Sequence, residues 1–146
     1  MASGAASASS SERIDRNELS LARLYVMRAI YLLIGLGEGS QVAPELFVHE
    51  PTARGVIASI LAGMCLLDLL GVRYPRQMLP LLLFEFAWKY IWFFAFGLPQ
   101  WLSGQHPPTF AEDFFNIGFG VAIMPFVIPW VYVWRNYIIA PGDRWR

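Results

Sequence analysis

Four ionisable residues lie inside stretches of the sequence that are otherwise apolar, and their types and spacing could support chemistry. They are Arg28, Asp68, Glu85 and Lys89. An ionised side chain at the centre of a membrane-spanning helix costs about 2.5–3.5 kcal/mol on insertion scales, so each one needs a partner or a water-filled cavity. We therefore predict that these residues form a ligand-binding or ion-pair cluster.

The pairing within this cluster has two solutions. Glu85 and Lys89 are four residues apart with the acid nearer the N-terminus, which is the favourable order for an ion pair on one helix. Arg28 would then pair with Asp68. The other solution pairs Arg28 with Glu85 and Lys89 with Asp68, which would tie three helices together. The sequence does not choose between them.

Three interpretations of the cluster follow from its chemistry. The first is a set of ion pairs that fixes the register of the helices. The second is a polar pocket, open to the cytoplasmic side, that binds the headgroup of a small ligand or passes a proton. The third is acid–base catalysis on a lipid or isoprenoid, with Glu85 or Asp68 as the general acid or base.

A second set of residues is predicted to form a cavity wall or a hinge next to the charges. Trp88 and Trp92 fall on or beside the face of the third apolar stretch that carries Glu85. Pro125 and Pro129 lie in the fourth stretch. Each proline removes a helical hydrogen bond, which predicts a kinked helix and leaves a gating hinge or a cavity wall as the functional alternative.

The elements that must hold these residues are membrane helices. The chain has 146 residues, of which 56% are hydrophobic and 15% charged, and its mean hydropathy is +0.44. Four stretches approach or exceed the length needed to cross a bilayer, at about 21–37, 54–72, 79–98 and 114–134. No stretch shows the period-2 alternation of an outer-membrane barrel. We predict an all-α integral membrane four-helix bundle with short loops, formed by residues 17–137.

The distribution of charge predicts the orientation of the bundle. Nine of the eleven Lys and Arg residues fall on one side of the four-span map, and only Arg54 falls on the other, with Lys89 inside a span. By the positive-inside rule, both termini are expected to be cytoplasmic, in a cell inner (plasma) membrane. Residues 1–16 are predicted to be a disordered tail and residues 138–146 a second cytoplasmic tail. The two loops on the side opposite the cations carry five acids, namely Glu38, Glu45, Glu50, Glu112 and Asp113.

Other classes of site have little support in the sequence. A formal charge of zero argues against binding to nucleic acid. Cys65 is the single cysteine, and His49 and His106 occur in loops without metal-ligand spacing, so we expect neither a metal nor a cofactor. The expected partners are the lipid bilayer and, in addition, a membrane protein or a second copy of the chain packed through small-residue faces.

These observations lead to two functional hypotheses. The first is a non-enzymatic membrane protein that binds or passes a small solute, or serves as an accessory subunit of a membrane complex. The alternative is a membrane-embedded enzyme acting on a lipid or isoprenoid, with an intramembrane acid as its general acid or base.

Overall fold

A computed structural model describes residues 19–48, 51–104 and 106–142, and all regular secondary structure within these ranges is helical. Helix α1 is Leu21–Val42, α2 is Ala53–Arg73, and α3 is Leu79–Ser103, which contains a wider π-helical turn at Phe93–Gly97. Helix α4 is Phe110–Val127, and α5 is Trp130–Val133, followed by a π-helical segment at Trp134–Ile139. A 3-10 turn, Ala43–Phe47, follows α1. The predicted tail 1–16 and His49 lie outside the described residues.

Local signals explain most of these helix boundaries. The hydroxyl of Ser20 accepts the backbone N–H of Arg23 and caps the start of α1. Pro80 occupies the first turn of α3, where a missing N–H has no consequence. Gly104 follows α3 with a φ of 67°, a left-handed conformation that glycine adopts readily and that ends the helix.

Three of the helices are long and apolar enough to cross a membrane. They are α2, α3 and α4, with 21, 25 and 18 residues. Helix α1 has 22 residues but contains Arg23, Arg28 and Glu38, and it is not among the helices whose hydropathy and low charge suit a membrane span. The all-helical prediction is therefore confirmed over the described residues, and so is the presence of membrane-spanning candidates, while α1 as a fourth span stays a prediction.

The outer surface of the helices is suited to lipid. Leu66, Phe115 and Phe126 are 70%, 71% and 81% exposed, and many other large apolar side chains are exposed with them. Soluble monomers rarely expose apolar patches of this extent, because water penalises them. Lipid chains would cover these side chains without such a penalty.

The buried core joins α1, α3 and the C-terminal part of α4. The C-terminal ends of α1 and α3 and the N-terminal ends of α2 and α4 lie at one end of the molecule, which we name the distal end. The opposite end, near Leu21 and Leu79, is the proximal end. The buried apolar cluster, which is nearer the proximal end, consists of Met27, Tyr31, Ile34, Leu79, Leu82, Met124, Val127, Ile128 and Val133.

Helices α1 and α2 pack closely through glycines. A Cβ at Gly71 of α2 would lie 2.5 Å from Cδ1 of Tyr31, so only glycine fits against this ring. The Tyr31 hydroxyl donates to the carbonyl of Pro75 at 3.3 Å, which holds the ring in place. A Cβ at Gly35 of α1 would lie 3.1 Å from Cδ2 of Leu69. These contacts make the α1–α2 interface tightly packed at these positions.

Two prolines, one within α4 and one just after it, leave two carbonyls without their usual helical donors. Side chains replace those donors. Pro125 has no N–H, and the hydroxyl of Tyr90 on α3 donates to the carbonyl of Val121 at 3.1 Å. Pro129 has none either, and the indole N–H of Trp130 donates to the carbonyl of Pro125 at 2.8 Å. Side chains therefore complete the backbone hydrogen bonding, as membrane helices require.

The fourth predicted span, 114–134, is not one continuous helix. Helix α4 begins at Phe110 and ends at Val127, and Ile128 is extended with ψ at 125°. The residue before a proline avoids the helical conformation, so Pro129 causes this break. The guanidinium of Arg23 on α1 donates to the carbonyl of Ile128 at 2.9 Å and to that of Phe126 at 3.3 Å, which satisfies acceptors at the end of α4.

Candidate functional site

Lys89 is the centre of a buried ionic group that joins α3 to α1. Its side chain is only 5% exposed, and Nζ donates to Oε1 of Glu38 on α1 at 2.7 Å. Nζ also donates to Oε2 of Glu85, one helical turn earlier on α3. The structure thus forms the Glu85–Lys89 pair and adds a second acid from another helix. We name Glu38, Glu85 and Lys89 the ionic triad.

Trp88 supports the triad from the same helix. Its indole N–H donates to Oε2 of Glu85 at 3.0 Å. Nζ of Lys89 lies 4.2 Å from the centroid of the Trp88 ring, within the range of a cation–π interaction. The tryptophan therefore contacts both the acid and the base, and it fixes their positions relative to α3.

Gly120 on α4 provides the space that the Lys89 side chain occupies. A Cβ at this position would lie 2.7 Å from Cδ and 2.9 Å from Cε of the lysine. A larger residue at position 120 would displace the lysine stem. The glycine allows α4 to approach α3 at the level of the triad.

The two acids of the triad keep unused acceptor atoms. Oε2 of Glu38 and Oε1 of Glu85 are buried and accept no hydrogen bond from any residue that the structure describes. One ammonium group faces two carboxylates, so the triad carries a formal charge of −1 when all three groups are ionised. A buried acceptor without a donor destabilises a protein unless a ligand, a proton or water satisfies it.

A cavity of about 330 Å³ lies between α1 and α4, with Lys89 and Trp88 of α3 at its floor. Its walls are mainly apolar, and exposed polar residues, namely Gln41, Asp113 and Asn116, form a rim at the distal end. Glu38 is part of the lining. The apolar walls are provided by Ile30, Leu33, Ile34, Ile117, Phe119, Ile123 and Met124.

The polar rim of the cavity lies at the distal end of the molecule. Glu38 is near the C-terminus of α1 and pairs with Lys89 at this level, and the exposed polar residues of the lining lie beside it. The side of a membrane that this end faces stays a prediction.

Asp68 on α2 is fully buried, and neither of its carboxyl oxygens has a hydrogen-bond partner among the described residues. It is close enough to Glu85, Glu38 and Lys89 to interact with them electrostatically, but it forms no direct contact with the lysine. It is not among the residues that line the cavity. Asp68 is therefore a further buried carboxyl group behind the triad.

Arg28 forms neither of the predicted pairs. Over the described residues it has no ion pair with Asp68 or Glu85, and its guanidinium lies 5.4 Å from the centroid of the Tyr25 ring. The α1 residue that joins the ionic group is Glu38, which lies ten residues later, about 15 Å along the helix. Arg28 is outside the cavity lining.

Glu38 is the residue of the candidate site that the sequence analysis missed. We placed it among the acids of an outer loop because the first span was predicted to end at Gly37. Helix α1 continues to Val42, so Glu38 is a helical residue. Its position, four residues after Ile34 and seven after Tyr31, is the spacing of one helix face, and both of those residues are buried. This periodicity was the signal that could have identified it.

Of the four residues predicted as a cavity wall or a hinge, the structure places one in the cavity lining. Trp88 lines the cavity, whereas Trp92, Pro125 and Pro129 are not part of the lining. The Trp92 ring packs against the π-helical turn of α3, since a Cβ at Gly97 would lie only 2.8 Å from Cζ3 of this ring. The prolines shape the end of α4, as described above.

His106 lies in an aromatic stack at the distal end. Its ring is 5.0 Å from that of Phe110 and 6.5 Å from that of Trp101, measured between centroids. The described residues contain no group of three or more His, Cys, Asp or Glu side chains placed to hold a metal ion. The stack packs the C-terminal end of α3 against the N-terminal end of α4.

The arrangement can bind a solute that is partly apolar and partly charged. Apolar walls would bury the hydrocarbon part, and the triad would contact the polar part in a low-dielectric environment where ionic contacts are strong. No protein-family model, curated protein or solved structure matches this chain.

Proposed function

We propose that this chain is a four-span membrane protein that binds a small solute in the cavity between α1 and α4. The observation that carries the proposal is the position of the Glu38–Lys89 ion pair in the lining of a cavity whose walls are otherwise apolar. Buried charges in a membrane protein mark functional sites more often than inert packing, because they are costly to retain. The proposal concerns binding of the solute. Passage of the solute across the membrane, or an accessory role in a complex, would require this binding.

Helix α1 is the fourth span in this proposal, in spite of its charges. Its 22 residues span about 33 Å, which matches the hydrocarbon thickness of a bilayer. Glu38 pairs with Lys89, and Arg23 donates to carbonyls at and just after the end of α4, so two of its three charged residues have partners on other helices. An α1 that lay outside the membrane would leave Lys89 without this partner.

The proposed orientation places the proximal end and both termini in the cytoplasm of a cell inner membrane. The excess of Lys and Arg at that end supports it through the positive-inside rule. The cavity rim would then face the outer side, and a solute would enter from there or from the lipid between α1 and α4.

The structure gives less support to the enzymatic alternative. That hypothesis gives the general acid or base role to Glu85 or Asp68, and neither residue lines the cavity. A catalytic group must come within hydrogen-bond reach of the atom that it protonates or deprotonates. Both acids are fully buried behind the cavity floor, where a solute in the cavity would not meet them.

A cavity-filling variant tests the proposal. A Cβ added at Gly37, which lines the cavity, meets no atom within 4 Å, so Gly37→Phe would fill the cavity without a clash at the backbone. Gly63 on the exposed face of α2 is equally open, and Gly63→Phe is the matched control. Wild type and both variants are purified gently from native membranes, and the bound small molecules are identified by mass spectrometry.

The expected result is a small molecule that is present with wild type and Gly63→Phe and absent from Gly37→Phe. Circular dichroism and size-exclusion chromatography establish that each variant is folded. The same small-molecule content in all three proteins would overturn the proposal. A stoichiometric protein partner without a cavity-dependent small molecule would also overturn it and would favour the accessory role.

A further inference from the structure

The charge of the cavity identifies the class of its solute. The charged residues of the lining are Glu38, Lys89 and Asp113, which sum to −1 when all are ionised. Glu85 adds a further negative charge directly behind Lys89, in contact with it. Glu112 is exposed in a neighbouring depression that shares Gln41 and Asn116 with the cavity rim. The floor and the rim therefore have the same sign of charge, which attracts cations and repels anions.

The hydrogen-bonding atoms of the floor favour the same class. A lysine ammonium has three N–H donors. Two of those of Lys89 are used by Glu38 and Glu85, and its Nζ also faces the Trp88 ring at 4.2 Å. The Lys89 ammonium is thus already surrounded by two carboxylates and an aromatic ring, which disfavours an anion there. In the lining, Oε2 of Glu38 is an acceptor without a donor among the described residues.

The walls limit the shape of the solute. A volume of about 330 Å³ is at the lower end of the range for small-molecule sites. Phe119 and the aliphatic side chains around it would bury a short hydrocarbon or a single ring. Two features thus combine in one cavity, namely an acidic floor with an unused acceptor on Glu38 and an apolar wall.

We infer that the solute is a small amphipathic cation, a protonated amine with one apolar group, whose charged end lies against Glu38. This inference rests on the proposed function, since it names the chemical class that the proposed cavity takes. The apolar group would lie between α1 and α4.

A matched pair of probes tests the inference. Benzylammonium, the protonated form of benzylamine, carries a positive charge and N–H donors next to one ring, and benzenesulfonate carries a negative charge on a similar ring. The full-length protein is reconstituted in nanodiscs of phosphatidylcholine, which has no net charge, and binding of each probe is measured by equilibrium dialysis against empty nanodiscs. We expect saturable binding of the cation and at least about a tenfold weaker affinity for the anion.

Two substitutions of the same chemical type locate the binding. Glu38→Gln keeps an oxygen that can accept from Lys89 but removes the negative charge, and we expect it to weaken binding of the cation by about tenfold. Glu45→Gln makes the same change in an exposed ion pair with Arg54, away from the cavity, and should leave binding unchanged. Gly37→Phe should abolish binding of the cation.

Several outcomes would overturn the inference. Tighter binding of benzenesulfonate, binding of neither probe, or an equal effect of Glu38→Gln and Glu45→Gln would each do so. The proposed function is judged separately by the native small molecules of wild type and Gly37→Phe, so it survives if an anionic or neutral molecule is found there. If Glu38→Gln does not fold, the preference of the wild-type protein for cation or anion still decides the inference.

Discussion

Helix α1 lies between two neighbours that it contacts in different ways. Against α2 it packs through glycines, and the Tyr31 ring lies where a Cβ at Gly71 would be. Against α4 it leaves a cavity of about 330 Å³, with an ionic triad at the floor. One interface is stabilised by close packing of apolar surfaces, while the other depends on charges that must satisfy one another.

Two glycines of α1 show the same difference between a packed and an open side of one helix. Gly35 and Gly37 are two residues apart, which is about 200° around the helix. A Cβ at Gly35 would be 3.1 Å from Leu69, and a Cβ at Gly37 would meet nothing within 4 Å. A glycine in a membrane helix thus indicates close packing at one position and open space at another, and the neighbouring helix decides which.

The largest expected effect concerns the charged side of α1. Lys89→Met would leave Glu38 and Glu85 without their shared cation, and we expect the free energy of unfolding to fall by about 3–5 kcal/mol. Titration with SDS, followed by circular dichroism, measures this quantity. The control is Arg54→Met, which breaks an exposed ion pair with Glu45 and should change stability by about 0–1 kcal/mol.

A second substitution sharpens this test. Adding Glu85→Gln to Lys89→Met removes one of the two uncompensated acids, so the double variant should recover part of the lost stability. Equal losses in Lys89→Met and Arg54→Met would show that the triad stabilises the bundle no more than a surface pair does.

The next effect concerns the packed side of α1. Gly71→Ala would place a methyl group 2.5 Å from the Tyr31 ring, and overpacking of this kind lowers stability by about 1–3 kcal/mol. Gly63→Ala, on an open face of the same helix, is the control and should cause no loss. The same SDS titration compares the two. A Gly71→Ala variant as stable as wild type would contradict the tight α1–α2 interface.

A smaller effect is expected where α3 meets α4. Tyr90→Phe removes the donor to the carbonyl of Val121, and hydrogen bonds between membrane helices contribute about 0.6–1.7 kcal/mol. Tyr74→Phe, at an exposed tyrosine, is the control. If both variants unfolded at the same SDS fraction as wild type, the Tyr90 bond would have no energetic role.

The smallest effect has the opposite sign. Gly37→Ala should raise stability by about 0.5–1 kcal/mol, because alanine loses less backbone entropy in a helix and its methyl group has space in the cavity. A loss of stability in Gly37→Ala would contradict the open space on this side of α1. The comparison with Gly71→Ala shows how the effect of a glycine-to-alanine substitution on stability differs between the two interfaces.

The sequence was sufficient to predict the helices and part of the ionic group. Hydropathy identified α2, α3 and α4, because a bilayer requires long apolar helices. The four-residue spacing of Glu85 and Lys89 predicted a pair that one helix forms without any knowledge of the tertiary structure. Local rules of this kind depend only on neighbours in the sequence.

The rest of the site depends on contacts between helices. Glu38 was assigned to a loop, since the polar residues after Gly35 resemble a helix end, yet α1 continues to Val42. Pairing of Arg28 with Asp68 required a relative height of α1 and α2 that hydropathy does not specify. The cavity itself arises from the spacing of α1 and α4, which no residue pattern in either helix encodes alone.

The bond between Tyr90 and Val121 has a consequence for how the chain can vary. Its acceptor is a main-chain carbonyl, which is present whatever side chain stands at position 121. Substitutions at 121 change packing but cannot delete the acceptor, whereas loss of the hydroxyl at position 90 removes the bond at once. A substitution on α3 can therefore remove this hydrogen bond between the two helices, whereas a substitution at its acceptor residue on α4 leaves the acceptor in place.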